Sequence, residues 1–139
     1  MSSSSEQQRV IIIDDSEIIL ERAKLSLEGE NFEVVTTTQT VGIAKLLREE
    51  CLVLIDFHMP GINGGDLVTS LRSAARRSGT TCGLYIYSSD TEKAAKYAKL
   101  GFDGAFFSKG DMNLLVAQTI AAARTVKLRA MKQRRTLIA

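Results

Sequence analysis

Five short apolar runs recur along the chain, each ending abruptly in polar residues, and the stretches between them carry apolar residues at helical spacing. The runs are residues 9–13 (Arg-Val-Ile-Ile-Ile), 32–36, 51–55 (Cys-Leu-Val-Leu-Ile), 82–87 and 105–108. A brief continuous apolar run bounded by turn signals is the pattern of a strand covered on both faces. The third run is the sharpest case. It delivers the carboxylate of Asp56 and then enters a loop holding the only proline, Pro60, and three glycines.

The intervening stretches read as helices. Ser16 is placed to cap the first, with Ile19, Ala23 and Leu27 facing inward and Gly29 stopping it. Thr38 or Thr40 opens a second, whose apolar positions are Val41, Ala44 and Leu47. Residues 66–77 form a third, with Leu67 and Leu71 inward and Ser78-Gly79 ending it. Thr91 caps a short fourth that Gly101 stops, and Asp111 caps a long fifth with Met112, Val116, Thr119, Ala123 and Val126 as its core stripe. Five repeats of strand then helix with short connections predict one doubly wound α/β domain, because parallel strands need crossover helices between them.

Composition narrows the class. A chain of 139 residues, 45% hydrophobic and 24% charged, fits one globular domain. No apolar run approaches the roughly 20 residues of a membrane helix. The N-terminus lacks the basic start and apolar core of a secretory signal, so residues 1–8 are expected to form a flexible tail and the chain to be cytoplasmic. Cys51 and Cys82 fall in predicted buried strands without metal-like spacing and read as small core residues in a reducing compartment. The net charge of +2 conceals an asymmetry. Residues 1–123 hold 12 basic and 16 acidic residues, net −4, whereas residues 124–139 hold six basic residues and no acid.

The residues just past the apolar runs are Asp14 and Asp15, Asp56, Ser88 and Lys109. In a parallel sheet these ends share one edge, where open α/β sheets bind their ligands. Crowded carboxylates repel one another unless a cation joins them. Oxygen ligands of this kind suit Mg2+, which takes one or two carboxylates, waters and a phosphate. With Lys109 and Ser88 the set supplies what phosphoryl transfer needs, and Asp56 is the carboxylate left to act as nucleophile. The plainer reading of Asp56 taken alone is a turn cap before Pro60.

On these residues the chain resembles the receiver domain of bacterial two-component response regulators, from about Arg9 to Val126. Asp14-Asp15 match the family's acidic pair, Asp56 its phospho-accepting aspartate, Met59-Pro60 and Gly64 its loop signature, and Ser88 and Lys109 its hydroxyl and lysine. The resemblance implies a flavodoxin-like fold with strand order 2-1-3-4-5 and helices on both faces. It implies a single-domain response regulator that takes a phosphoryl group on Asp56 from a histidine kinase or phosphotransfer protein. It implies further that Mg2+ is held by Asp15, Asp56 and the His58 backbone carbonyl, and by Asp14 through water. It also implies that Ser88 turns toward the phosphoryl group, that an aromatic on the fifth strand fills the space vacated, and that the surface of the fourth and fifth helices signals to a downstream protein.

The chain departs from the family in places. Gly110 follows Lys109 where many relatives have proline, and the segment from Gly101 to Lys109 is one residue longer than usual. Phe106 is the expected switch aromatic, with Phe107 as the alternative, and either lacks the hydroxyl of the tyrosine common in relatives. His58 and Asp90 occupy positions that tune phosphoryl lifetime in the family. The structural alternatives are a solvated loop histidine and a helix-capping aspartate. A second apolar stripe on the last helix (Leu114, Ala117, Ala121, Leu128) suggests pairing with a second copy, against the plain alternative that alanines favour helices. The basic run at residues 127–139 reads as a solvated helix extension or tail, too short for a helix-turn-helix, and nucleic acid is not an expected partner. Two other functions compete: a pseudo-receiver that binds partners without phosphorylation, and a phosphatase resembling the haloacid dehalogenase family, which has an aspartate where this chain has His58.

Overall fold

A computed structural model describes residues 7–56 and 64–138. Every predicted strand forms: β1 (Arg9–Ile13), β2 (Glu33–Thr37), β3 (Cys51–Ile55), β4 (Cys82–Tyr87) and β5 (Gly104–Phe106). They make one parallel sheet of order β2-β1-β3-β4-β5. Both faces are covered, which is why β1, β3 and β4 are buried along their whole length. Period-two alternation splits the core. Val10, Ile12, Leu52, Leu54, Tyr85, Tyr87 and Phe106 face helices α1 (Glu17–Glu28) and α4 (Met112–Ile138). On the other side Ile11, Ile13, Val53, Ile55, Leu84 and Ile86 face α2 (Gly64–Ser78) and the short α3 (Thr91–Ala95).

Helix ends follow local chemistry, with some shifts. Ser16 caps α1 by accepting from the Ile19 N–H, 3.3 Å. The buried face of α1 is Leu20, Ala23 and Leu27, and Ile19 is only partly covered. Gly29 keeps a helical φ of −63°, and the left-handed residue that turns the chain is Asn31 at φ 67°. Asp90, not Thr91, caps α3 by accepting from the Lys93 N–H, 3.1 Å. That helix ends at Ala95 and continues only as turns toward Gly101.

The second predicted helix is not there. Gly42 adopts φ 84°, a left-handed conformation that interrupts any helix begun at Thr38 or Thr40, and only a 3-10 turn, Ile43–Leu46, follows. Val41, predicted inward, is 86% exposed, and the buried residue is Ile43. Among the described residues the alternation is therefore four α-helices and one 3-10 turn between and after five strands.

Gln8 and the last turns of α4 are also more tightly held than predicted. Gln8, assigned to the tail, is buried and donates to the carbonyls of Glu50 (2.8 Å) and Ala123 (3.1 Å). α4 runs unbroken to Ile138, and the part beyond Val126 is not merely solvated. Ala130 is buried, Arg129 donates to the Cys82 carbonyl (3.2 Å) and faces Asp103 (3.4 Å), and Gln133 accepts from the Thr81 hydroxyl (2.6 Å). Arg134 reaches Glu49 and Glu50 at 3.5 Å each. One face of the basic helix thus docks across the N-terminal ends of β3 and β4. The second apolar stripe is exposed, with Leu114 and Leu128 at 39% and 58%.

Candidate functional site

The acids arrive at one edge because of register. Ile13 is abreast of Ile55, so the next residues, Asp14 and Asp56, emerge side by side, and the Asp56 N–H donates to the Ile13 carbonyl at 2.8 Å. Asp14, Asp15 and Asp56 each place a carboxylate oxygen within 4.8 Å of the others. Asp14 and Asp56 are buried and Asp15 is exposed. Asp14 turns one oxygen to the Ser16 N–H (2.9 Å), an interaction that also fixes the start of α1. Its other oxygen lies 2.8 Å from Lys109 Nζ, and Asp56 Oδ1 lies 3.1 Å from the same nitrogen. Lys109 comes from the turn after β5 and is nearly covered there.

Burial raises the Asp14 pKa above its ordinary value, and Lys109 only partly offsets this through its hydrogen bond and charge. Burial thus penalises the charged form of Asp14, a penalty that an additional cation would relieve. Three carboxylate oxygens within 4.8 Å of one another are a donor set of the kind that suits a hard divalent ion such as Mg2+. Asp15 is the solvent-exposed member of the three.

Ser88 is buried at the end of β4 and accepts from the Asp90 N–H, 3.0 Å. Asp90 serves as the α3 cap, in keeping with the structural alternative for that residue. Phe106 is buried, its ring 5.3 Å from that of Tyr85, whereas Phe107 is 47% exposed. His58, Met59 and Pro60 lie outside the described residues.

Tyr87 was not foreseen as part of the site. Its ring lies beneath Lys109 Nζ, 5.4 Å from the centroid, a cation–π contact that helps hold the ammonium over the acids. Burial and, secondarily, the Asp14 charge push its hydroxyl up to about 12, so it stays protonated. The only sequence signal was its place immediately before Ser88.

Comparison with known proteins gives a consistent answer. A family model described as "Response regulator receiver domain" matches residues 10–119. The DNA-binding response regulator MtrA of Mycobacterium tuberculosis (strain H37Rv) is 34% identical over 70 residues, 48% of this chain and 30% of MtrA. MtrA of Mycolicibacterium smegmatis is 33% identical over the same length. These matches thus span less than a third of the relatives' own length. Among solved structures, the chemotaxis response regulator CheY4 of Vibrio cholerae superposes with TM-score 0.68 at 20% identity, covering 84% of this chain and 98% of its own. TrrA of Thermotoga maritima, in complex with Mg(2+)-BeF, gives TM-score 0.66 at 18% identity over 84% and 99%. At such identities these structures speak to the fold.

Proposed function

The chain belongs to the response regulator receiver domain family, and from that premise we propose that it accepts a phosphoryl group on Asp56 from a phosphohistidine donor in a Mg2+-dependent step and passes the change to a partner. One observation supports this above the others: Lys109 Nζ sits between Asp14 and Asp56, at 2.8 and 3.1 Å, inside a trio of carboxylates that could hold a divalent ion.

In this reading an Asp56 oxygen attacks phosphorus, the P–N bond to the donor imidazole breaks, and the electron pair leaves with the imidazole, which takes up a proton. Asp14, Asp15 and Asp56 would hold Mg2+, which supplies charge neutralisation for the phosphoryl oxygens. Lys109 exchanges its carboxylate partners for a phosphoryl oxygen and stabilises charge as it develops. Ser88 turns its hydroxyl to another oxygen, giving up the bond from the Asp90 N–H at the entrance to α3. Phe106, buried against Tyr85 in the layer that packs on α4, is the aromatic able to relay that movement through packing. The signalling surface comprises α3, β5 and α4, the partners being a histidine kinase or phosphotransfer protein and a downstream protein. The exposed Leu114 and Leu128 side of α4 is the face for pairing with a second copy. No observation favours the pseudo-receiver reading.

Incubation of the chain and of Asp56→Asn with Mg2+ and acetyl phosphate, followed by intact mass, tests the proposal. The expected result is one phosphoryl adduct on the parent, lost with EDTA and absent from the variant. A parent that remains unmodified under these conditions overturns it and leaves a binding module acting without phosphorylation.

A further inference from the structure

Cys51 opens β3 and Cys82 opens β4, at the end of the sheet opposite the carboxylates, and the two are register partners. Both are free thiols, and their sulfurs lie 3.1 Å apart. Neighbouring strands run about 4.8 Å apart, inside the Cα separation of about 4.4–6.8 Å that a disulfide bridges. That general spacing is one a disulfide can bridge. Cys51 is fully enclosed, whereas Cys82 lines a cavity of about 560 Å³ between α2 and the end of α4. Arg76, Arg129 and Lys132 line the same cavity, and cations favour the thiolate form that reacts with oxidants.

We propose that Cys51 and Cys82 are a reversible oxidation site for a peroxide, with Cys82 as the attacking sulfur and Cys51 as the resolving one. The Cys82 thiolate attacks a peroxide oxygen and the O–O bond breaks. Hydroxide leaves, is protonated to water, and Cys82 is oxidised to a sulfenic acid. Cys51 then attacks that sulfur, the S–O bond breaks, the S–S bond forms, and the second oxygen departs as water with the Cys51 proton. Two thiols and one hydrogen peroxide give one disulfide and two waters, and an external dithiol reverses the change. In a reducing compartment such a pair is of the transient, sensing kind rather than a permanent staple. The bridge joins two strands where α4 docks through Arg129 on the Cys82 carbonyl and Arg134 on Glu49 and Glu50, a location independent of the phosphoryl site.

The test treats the reduced full chain with hydrogen peroxide, then counts thiols after denaturation and maps peptides without reduction. The expected outcome is loss of both thiols together, a mass lower by two hydrogens, one Cys51–Cys82 linked peptide, and full recovery with dithiothreitol. Cys51→Ser is expected to stop at a Cys82 sulfenic acid captured by dimedone, and Cys51→Ala provides the same arm should serine unsettle the core. Two countable thiols at peroxide levels that oxidise free cysteine, or oxygen adducts on one thiol with no linked peptide, overturn the proposal. Because no phosphodonor is involved, either result is separable from the fate of Asp56.

Discussion

Replacing Lys109 with methionine keeps the aliphatic stem and removes the ammonium that contacts both Asp14 and Asp56. At an effective dielectric of about 20, two ionised carboxylates with oxygens within 4.8 Å of each other repel by roughly 3.5 kcal/mol or more. The same change discards the attraction of the ammonium to both. Breaking one side of a buried ion pair costs about 3–5 kcal/mol. That loss has a ceiling, because a stranded carboxyl can protonate at about 1.36 kcal/mol per pH unit above its ordinary pKa of about 3.9. The ceiling for one carboxyl is roughly 5.6 kcal/mol near pH 8 but only about 1.5 kcal/mol near pH 5. The sign follows from Asp14, whose folded pKa already lies above its unfolded value. Without Lys109 it lies higher still, so the destabilisation is fully present above the folded pKa and fades as pH falls through it. Urea unfolding of parent and Lys109→Met in EDTA should show a loss of about 3–5 kcal/mol near pH 8, shrinking to about 1.5 kcal/mol or less near pH 5. Equal losses at both pH values, or under about 1 kcal/mol near pH 8, would refute the claim that this ammonium holds the acids together.

Two further outcomes bear on the site and its support. Asp14→Asn supplies in neutral form the group that burial favours, so thermal melts should place it above the parent at neutral pH. The difference should close as pH falls through the raised Asp14 pKa, where the parent carboxyl is neutral too, and matching melts at every pH would contradict this. Gly83→Ala sets a Cβ 2.6 Å from Val126 Cγ2 and 2.7 Å from Tyr85 Cε2, both within the packed core, so overpacking should cost about 1–3 kcal/mol by denaturant titration. A variant as stable as the parent would mean that the Tyr85 ring is not pinned against that strand.

How much of this was legible follows from the range of the interactions involved. The strands Cys51–Ile55 and Cys82–Tyr87 could be bounded from sequence because burial on both faces writes itself as an unbroken apolar run, and the polar residue that ends each run marks the edge of the sheet. That local signal was enough to nominate Asp14, Asp15, Asp56, Ser88 and Lys109. The second helix failed because the spacing of Val41, Ala44 and Leu47 cannot register that Gly42 turns left-handed. Asp90 displaced Thr91 as a cap through a choice of one residue that only backbone geometry makes. Tyr87 beneath Lys109, Cys51 against Cys82, and Arg129 and Arg134 folded back onto the sheet all join residues distant in sequence. Those contacts depend on strand register and on where α4 lies across β3 and β4. No periodicity along one segment encodes them, so only the assembled tertiary structure decided them.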